Sequence, residues 1–381
     1  MAAGLFGYFG YDMIRQIESI PDNNETAIDT PDSMLLRPSL IAIFDRLRDS
    51  ITLVTQIRPA DWDDAAAAWN VAQSRLSNAM LALEDPIPPT EVGGDDAVLP
   101  APQSNMTKSD FTSIVAKARD YIRAGEIFQV VLSQRFSVPF YLPAFNLYRS
   151  LCRLNPSPFL FFFDFGALSI VGSSPEILVR LRDDVVTIRP IAGTRKRGKH
   201  AEEDAANAED MMRDVKERAE HLMLLDLGRN DVGKVAKIGT VRPTEEFIVE
   251  RYSHVMHIVS NVVGELHEDQ DALSAFFAGM PAGTVSGAPK VRAMEIIDEL
   301  EPEKRGVYGG GCGYFSAGGD MDMCIALRTA VVKDEKLYIQ AGGGVVYDSD
   351  PEAEYMETVH KSGAIRKAAK DASRFTGNGN H

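Results

Sequence analysis

A chain of 381 residues, 45% apolar and 25% charged, has room for a large buried core, built as one big domain or two smaller ones. Its 55 acidic and 40 basic residues leave a net charge of −15, which argues against a nucleic-acid surface. An anionic ligand would have to be met locally by a few placed Arg, Lys and backbone N–H groups. No apolar stretch reaches membrane-spanning length, and the N-terminus carries no secretory pattern. Cys152, Cys312 and Cys324 stand at spacings that suit neither a disulfide framework nor a zinc site, so the expected compartment is a reducing cytoplasm.

In chain order, residues 4–20 are aromatic and Gly-rich, then helix-like from Met13 to Ile20. So apolar an opening is expected to continue a region lying upstream. Residues 39–57 read as a strand pair, and 61–84 as a helix. Residues 85–106, rich in Pro, Gly and Asp, read as a flexible connector between an N-terminal region (1–84) and a main unit (107–371). In that unit Thr107 caps a helix to Ala124, a strand follows at 128–138, and Phe159–Phe163 reads as a buried strand. A helix is predicted over 203–227, another over 289–300, and a third behind the Asp350-Pro351 start. Strands at 168–171, 185–191, 307–315, 325–332 and 337–342 do not alternate strictly with helices, which predicts an α+β fold of antiparallel sheets with helices outside. Residues 372–381 are expected to form a disordered tail. No GxGxxG opens a helix and no GxxxxGK[ST] occurs, so nucleotide binding has little support.

Two pairs of glutamates share one spacing, Glu217/Glu220 and Glu354/Glu357. Three residues apart on a helix, both members of a pair project from one side. If the two helices face each other, the carboxylates need a cation. Oxygen-only donors select a hard ion such as Mg²⁺, which keeps waters and leaves room for substrate oxygens. A solvated helix face would have the same look, because Met212, Val215, Ala219, Leu222 and Met223 form an apolar stripe opposite Glu217 and Glu220. On the second helix Glu354, Glu357 and Lys361 continue into Ala364, Ile365 and Ala368, and charges heading an apolar stripe need partners.

Gly342-Gly-Gly344 either makes a tight turn or lets backbone N–H groups approach a carboxylate. The Pro281–Lys290 loop opens a helix, as an anion site or as an ordinary cap. Arg328, read as lying within a strand, is an edge residue or a bidentate carboxylate clamp. His257 is a hydrogen-bonded strand histidine, or a base if a polar cavity lies before it. Glu176 follows a Pro turn and suits a general acid if partly buried. The basic run Arg195–Lys199 reads as an exposed loop or a small-anion site.

Set side by side, Gly125-Glu-Ile-Phe-Gln-Val-Val-Leu-Ser-Gln-Arg135, Asn155-Pro-Ser-Pro158, Gly172-Ser-Ser-Pro-Glu176, Pro190-Ile-Ala-Gly-Thr-Arg195, Glu220-His-Leu-Met-Leu-Leu-Asp-Leu-Gly-Arg-Asn-Asp231 and Gly283-Thr-Val-Ser-Gly-Ala-Pro-Lys290 resemble the chorismate-utilising enzymes. The likeness covers about residues 107–371 and points to the anthranilate-forming branch. It implies two large antiparallel sheets with outer helices enclosing a central active site, and a reaction of chorismate with ammonia that yields anthranilate and pyruvate. It further implies Mg²⁺ on Glu220 and Glu357, with Glu217 and Glu354 as supporting carboxylates. Glu176 would be the acid at the departing 4-hydroxyl, and Thr284 and His257 would assist catalysis. Gly193, Thr194, Tyr308, Arg328, Gly342, Gly343, Gly344, Lys361 and Gln129 would hold the substrate. Para-amino relatives commonly carry a nucleophilic Lys where this chain has Ala192, and isochorismate and salicylate synthases a Lys at the place of Gln129. Both absences favour ammonia and the ortho product. A separate glutamine amidotransferase subunit would supply the ammonia. Residues 1–84 would be the remnant of a regulatory region without its Leu-Leu-Glu-Ser-like segment, and Asn155, Pro156 and Ser157 the remaining half of a tryptophan pocket.

Overall fold

The protein is represented by a computed structural model that describes residues 3–61, 63–86, 99–252 and 255–375. The chain begins with β1 (Gly4–Phe9), a 3₁₀ turn (Tyr11–Gln16), β2 (Ser33–Leu36), β3 (Leu40–Asp45), β4 (Ser50–Thr55) and α1 (Ala65–Glu84). Next come β5 (Gln103–Ser104), α2 (Lys108–Arg123), β6 (Gln129–Pro139), α3 (Ala144–Leu154), β7 (Phe159–Asp164), β8 (Leu168–Ser174), β9 (Ile177–Arg182), β10 (Val185–Ile188) and β11 (Ile191–Lys196). Then follow α4 (Ala201–Arg213), α5 (Val215–Gly233), β12 (Arg242–Arg251), β13 (Val255–Glu265), α6 (Ala272–Gly279), β14 (Gly287–Ala288) and α7 (Lys290–Leu300). The last elements are β15 (Gly311–Ser316), β16 (Met321–Ile325), β17 (Thr329–Lys333), β18 (Lys336–Val345) and α8 (Pro351–Asp371).

Two large sheets carry the fold, and their strand pairs are antiparallel as expected. One has nine strands, ordered β11-β13-β10-β9-β16-β15-β1-β2 with β12 on β13. The other has seven, ordered β14-β6-β18-β17-β8-β7 with β5 on β6. The inner faces meet through Tyr8, Cys312 and Cys324 of one sheet and Leu168, Ile170 and Val331 of the other. α5 and α6 cover the outside of the larger sheet. α3 and α8 pack on the smaller one, where Leu147, Leu151, Ile365 and Ala368 close over Val138, Val171 and Ile339. Burial of this many aliphatic side chains, each worth roughly 1.5–3 kcal/mol, dominates the fold's stability.

Several expectations need correction. Residues 4–36 are not part of a separate N-terminal unit, because β1 pairs with β15 along its whole length and carries β2 at the sheet edge. The predicted helix from Met13 to Ile20 is only a 3₁₀ turn, held by Arg15 to Asp12 and Asp298. Phe159–Phe163 is an edge strand and half-buried, because β8 pairs with only one of its sides. The strand expected over 325–332 is two strands of different sheets. Between them Arg328, directly before the second strand, takes a φ of 48°, in the left-handed region. The tail begins later than residue 372, since Ala372–Phe375 form a 3₁₀ turn with Ala372 buried. Residues 87–98 of the connector and 376–381 of the tail lie outside the described residues.

Candidate active site

A cavity of about 720 Å³ opens where β11 of one sheet approaches β18 of the other, between α5 and α8. The predicted helix over 203–227 breaks at Asp214. Its extended backbone ends α4, and its carboxylate accepts the N–H groups of Lys216 and Glu217 to start α5. The restart turns α5 so that the anticipated apolar stripe is wrong. Val215 and Leu222 are exposed, while His221, Leu224, Leu225 and Gly228 are buried. Glu217 and Glu220 therefore look into the cavity. α8, capped by Asp350, presents Glu354, Glu357 and Lys361 to the same space.

The four glutamates are not equivalent. Glu217 is held by the Arg195 guanidinium at 2.7 Å, and Glu357 by Lys361 Nζ at 2.7 Å. Lys361 Nζ also donates to the Gly342 carbonyl at 3.0 Å. Glu220 has no hydrogen bond or ion pair among the described residues, and the buried Oε2 of Glu354 accepts no hydrogen bond. Burial first, and then the charges of Glu217 and Glu357, push the Glu220 carboxyl above the usual carboxylate range. Burial and Glu357 do the same to Glu354. Among the described residues no three acidic, His or Cys side chains gather in ligand geometry. Two underpartnered carboxylates in a roomy polar cavity still fit a hard divalent ion, which binds through one or two carboxylates and keeps its waters.

Gly342–Gly344 are neither a turn nor a free rim. They lie inside the ladder, opposite Ser133, Leu132 and Val131. Their missing side chains matter instead. A Cβ on Gly343 would stand 2.8 Å from Glu354 Oε2, and one on Gly344 2.4 Å from Gln129 Nε2. A strand without side chains is thus what lets α8 and Gln129 close onto the cavity floor. Gln129 lines the cavity, and its buried Oε1 has no partner among the described residues. Tyr308, also on the wall, is buried beneath the Arg305 guanidinium, 5.6 Å from its ring centroid.

Glu176 lies across from the glutamates, with Oε2 accepting from Thr284 Oγ1 at 3.1 Å. Burial raises its carboxyl, opposed by the Thr284 hydrogen bond and by the charges of Arg328 and Lys361. Arg328 lines the same wall, and among the described residues its guanidinium makes no hydrogen bond or ion pair. A half-buried, unpaired guanidinium in a strained backbone position is a ready receptor for a carboxylate.

Gly193 and Thr194 also line the cavity. His257 is not on the wall. Its Nδ1 lies 2.8 Å from the Gly193 carbonyl, which can only accept, so Nδ1 carries the proton. Thr194 Oγ1 lies 3.2 Å from the same nitrogen, and burial lowers the imidazole's proton affinity. Asn155, Pro156 and Ser157 are away from the cavity, pinned to the end of β8. Ser157 Oγ donates to the Ser174 carbonyl at 2.9 Å, and Asn155 Nδ2 to Ser173 Oγ at 3.3 Å. The basic run is neither a free loop nor an anion site. Arg195 is spent on Asp210, Asp214 and Glu217, and Arg197 on Asp204. Arg195's part in holding Glu217 was missed because its partner lies 22 residues on, beyond any local spacing rule.

Residues 1–367 match the chorismate binding enzyme family, and the chain belongs to that family. The chain is 63% identical to anthranilate synthase component 1 of Cereibacter sphaeroides, an alignment covering 100% of this chain and 76% of that protein. It is 48% identical to anthranilate synthase component 1 of Pseudomonas putida, over 96% of this chain and 74% of the relative. The crystal structure of anthranilate synthase component I from Streptococcus pneumoniae TIGR4 superposes with a TM-score of 0.87 at 41% identity, covering 96% of this chain and 80% of that one. No helix among the described residues is long and apolar enough to cross a membrane.

Proposed function

We propose that the cavity binds chorismate and converts it, with ammonia, into anthranilate and pyruvate, as in tryptophan biosynthesis. The observation that carries this reading is Arg328, unpaired among the described residues, facing the half-buried acid Glu176 across from two underpartnered glutamates, in a chain so similar to named anthranilate synthase components. In this reading Arg328 takes one substrate carboxylate, and Tyr308, Thr284 and the Gly342–Gly344 strand border it. Glu176, whose carboxyl burial raises above the usual range, delivers its proton to the departing 4-hydroxyl. Gln129 borders the cavity, and we assign it to holding the substrate there. Ala192 and Gln129 offer no lysine nucleophile or water-activating lysine, which favours ammonia and the ortho product. His257 would act through Thr194 at the cavity's edge.

Glu220 and Glu357, supported by Glu217 and Glu354, would hold a Mg²⁺ ion. When bound, the ion supplies Lewis-acid stabilisation of a substrate carboxylate. The name component 1 of the relatives suggests a second component, which we assign as a glutamine amidotransferase delivering ammonia. Residues 40–84, rather than 1–84, are the part we assign to a regulatory region. Asn155–Ser157 are the residues we assign to a tryptophan pocket, and the cytoplasm is the compartment we assign.

The test mixes chorismate, ammonium and Mg²⁺ with the chain and follows blue anthranilate fluorescence. Fluorescence that requires both Mg²⁺ and ammonium is expected. A folded chain that stays dark, or one whose product fluoresces only after a lyase is added, would remove the assignment.

A further inference from the structure

Glu176 forms part of the partition between two cavities. Besides the large one, a cavity of about 40 Å³ lies behind it, between α5 and the 282–284 turn. Thr284, Ile191 and Leu224 border both spaces. The smaller cavity is walled mainly by aliphatic groups such as Leu178, Ile188, Leu227 and Ile325, and Arg189 and Asp231 also border it. A water needs about 10–15 Å³ and a few polar partners, so a space of about 40 Å³ bordered by Glu176, Thr284, Arg189 and Asp231 has room for two or three. Asp231 is fixed by Lys290 Nζ at 2.7 Å and Lys234 Nζ at 3.3 Å. The Asp231 side chain is only 5% exposed, but the Lys234 side chain that holds it is 44% exposed, which leaves bulk solvent one side chain away.

We propose that this rear cavity is the passage through which Glu176 recovers its proton from solvent, with the Asp231–Lys290 pair as a positioning device at its outer end. The inference rests on Glu176 being the acid of the proposed reaction. In each turnover Glu176 gives one proton to the departing hydroxyl, which leaves as water. Its carboxylate then takes a proton from the nearest cavity water, and that proton is replaced at the Asp231 end. Ammonia and the ring release protons to solvent later in the cycle, so no net proton is consumed. A substrate that fills the large cavity closes that side of Glu176 to bulk water while leaving the rear side open. Small residues keep the passage clear: Gly228, Gly279, Ala282 and Gly283 all border it.

The test plugs the passage without touching the acid. In Ala282→Leu, checked for an unchanged urea midpoint, the first turnover of pre-protonated enzyme should stay within about twofold of wild type, measured by stopped-flow fluorescence with chorismate, ammonium and Mg²⁺. Steady-state kcat should fall about tenfold and show a larger solvent deuterium effect, because reprotonation has become limiting. If that variant does not fold, Gly228→Ala serves instead, its new methyl aimed at Pro190 Cγ at 3.1 Å. Equal loss in both phases, or no loss in either, overturns the passage. Glu176→Gln separates the two ideas. If it keeps its first turnover, the acid assignment falls and the passage with it. If it loses that turnover while the plugged variants keep wild-type kcat, only the passage falls.

Discussion

Two buried polar regions share Tyr308 as a wall and differ in how completely their charges are matched. Around Arg305 the charges are matched, although the buried Tyr11 hydroxyl beside it has no partner among the described residues. Its guanidinium donates to Glu301, to the Val285 carbonyl at 2.6 Å and to the Val131 carbonyl at 2.7 Å. Glu301 also accepts the Ser133 N–H at 2.7 Å and its hydroxyl at 2.9 Å, and Gln340 Nε2 closes the chain on Ser133 Oγ at 2.8 Å. At the large cavity Arg328, Glu220, Glu354 Oε2 and Gln129 Oε1 all lack such partners among the described residues. The first arrangement fixes β6, the 285 loop and α7 relative to one another. The second holds desolvated groups whose natural partners are not protein groups, and it can do so because the first is rigid. Matched charge marks scaffold; unmatched charge marks a place for a ligand.

The contrast breaks most sharply at Glu176. Glu176→Gln should cost about 10²–10⁴ in kcat, the usual worth of one acid–base group, while Mg²⁺ binding survives. Its stability should change in the opposite sense. A carboxyl raised in the folded state takes up its proton before the unfolded chain does. Wild-type stability is therefore favoured below the ordinary carboxylate value and falls as pH climbs through the raised one. The Gln variant should match wild type in acid and exceed it at neutral and alkaline pH in urea titrations. Activity of the wild type should fall across the same window. A variant less stable at every pH would place Glu176 in the scaffold class.

Glu301→Gln attacks the matched region. Loss of one partner in a buried pair strands the other charge, and about 3–5 kcal/mol of stability should go. Denaturant midpoints measure it, and a loss under 1 kcal/mol would mean that the pair behaves like a surface bridge. Arg328→Met sits at the opposite pole. Without protein partners to lose, its stability should hold or rise slightly. The KM for chorismate should rise by the roughly 1.5–3 kcal/mol typical of a charged hydrogen bond. Unchanged KM would end its role as a carboxylate receptor.

What the sequence disclosed follows the same division. The antiparallel sheets, the Thr107 N-cap, the β3–β4 hairpin and the shared spacing of the two glutamate pairs were legible, because periodicity and capping are local signals. Less visible was whatever depends on partners far along the chain. The pairing of β1 with β15, the capture of Glu217 by Arg195 and the Glu301–Arg305 network as a whole join segments that no spacing rule relates. Arg328 was misplaced for another reason, since an apolar run over 325–332 looks the same whether one strand or two cross it. The glutamate face of α5 was misread because a single residue, Asp214, resets the helical phase.

That residue allows the smallest and most local test. Asp214 accepts from Lys216 N at 2.9 Å and Glu217 N at 3.3 Å, and it also receives the Arg195 guanidinium at 2.9 Å. Losing an N-cap costs about 0.5–2 kcal/mol, and the exposed half of its ion pair adds little. Asp214→Ala should therefore lower stability by about 1 kcal/mol, whereas Asp214→Asn, which keeps the cap and drops the charge, should recover most of it. The more telling readout is the cavity. If Asp214 sets the phase that turns Glu217 and Glu220 inward, the Ala variant should bind Mg²⁺ more weakly than the Asn variant. Equal Mg²⁺ affinity in the two would show that Arg195 and the packing of His221 and Leu224 hold that face without the cap.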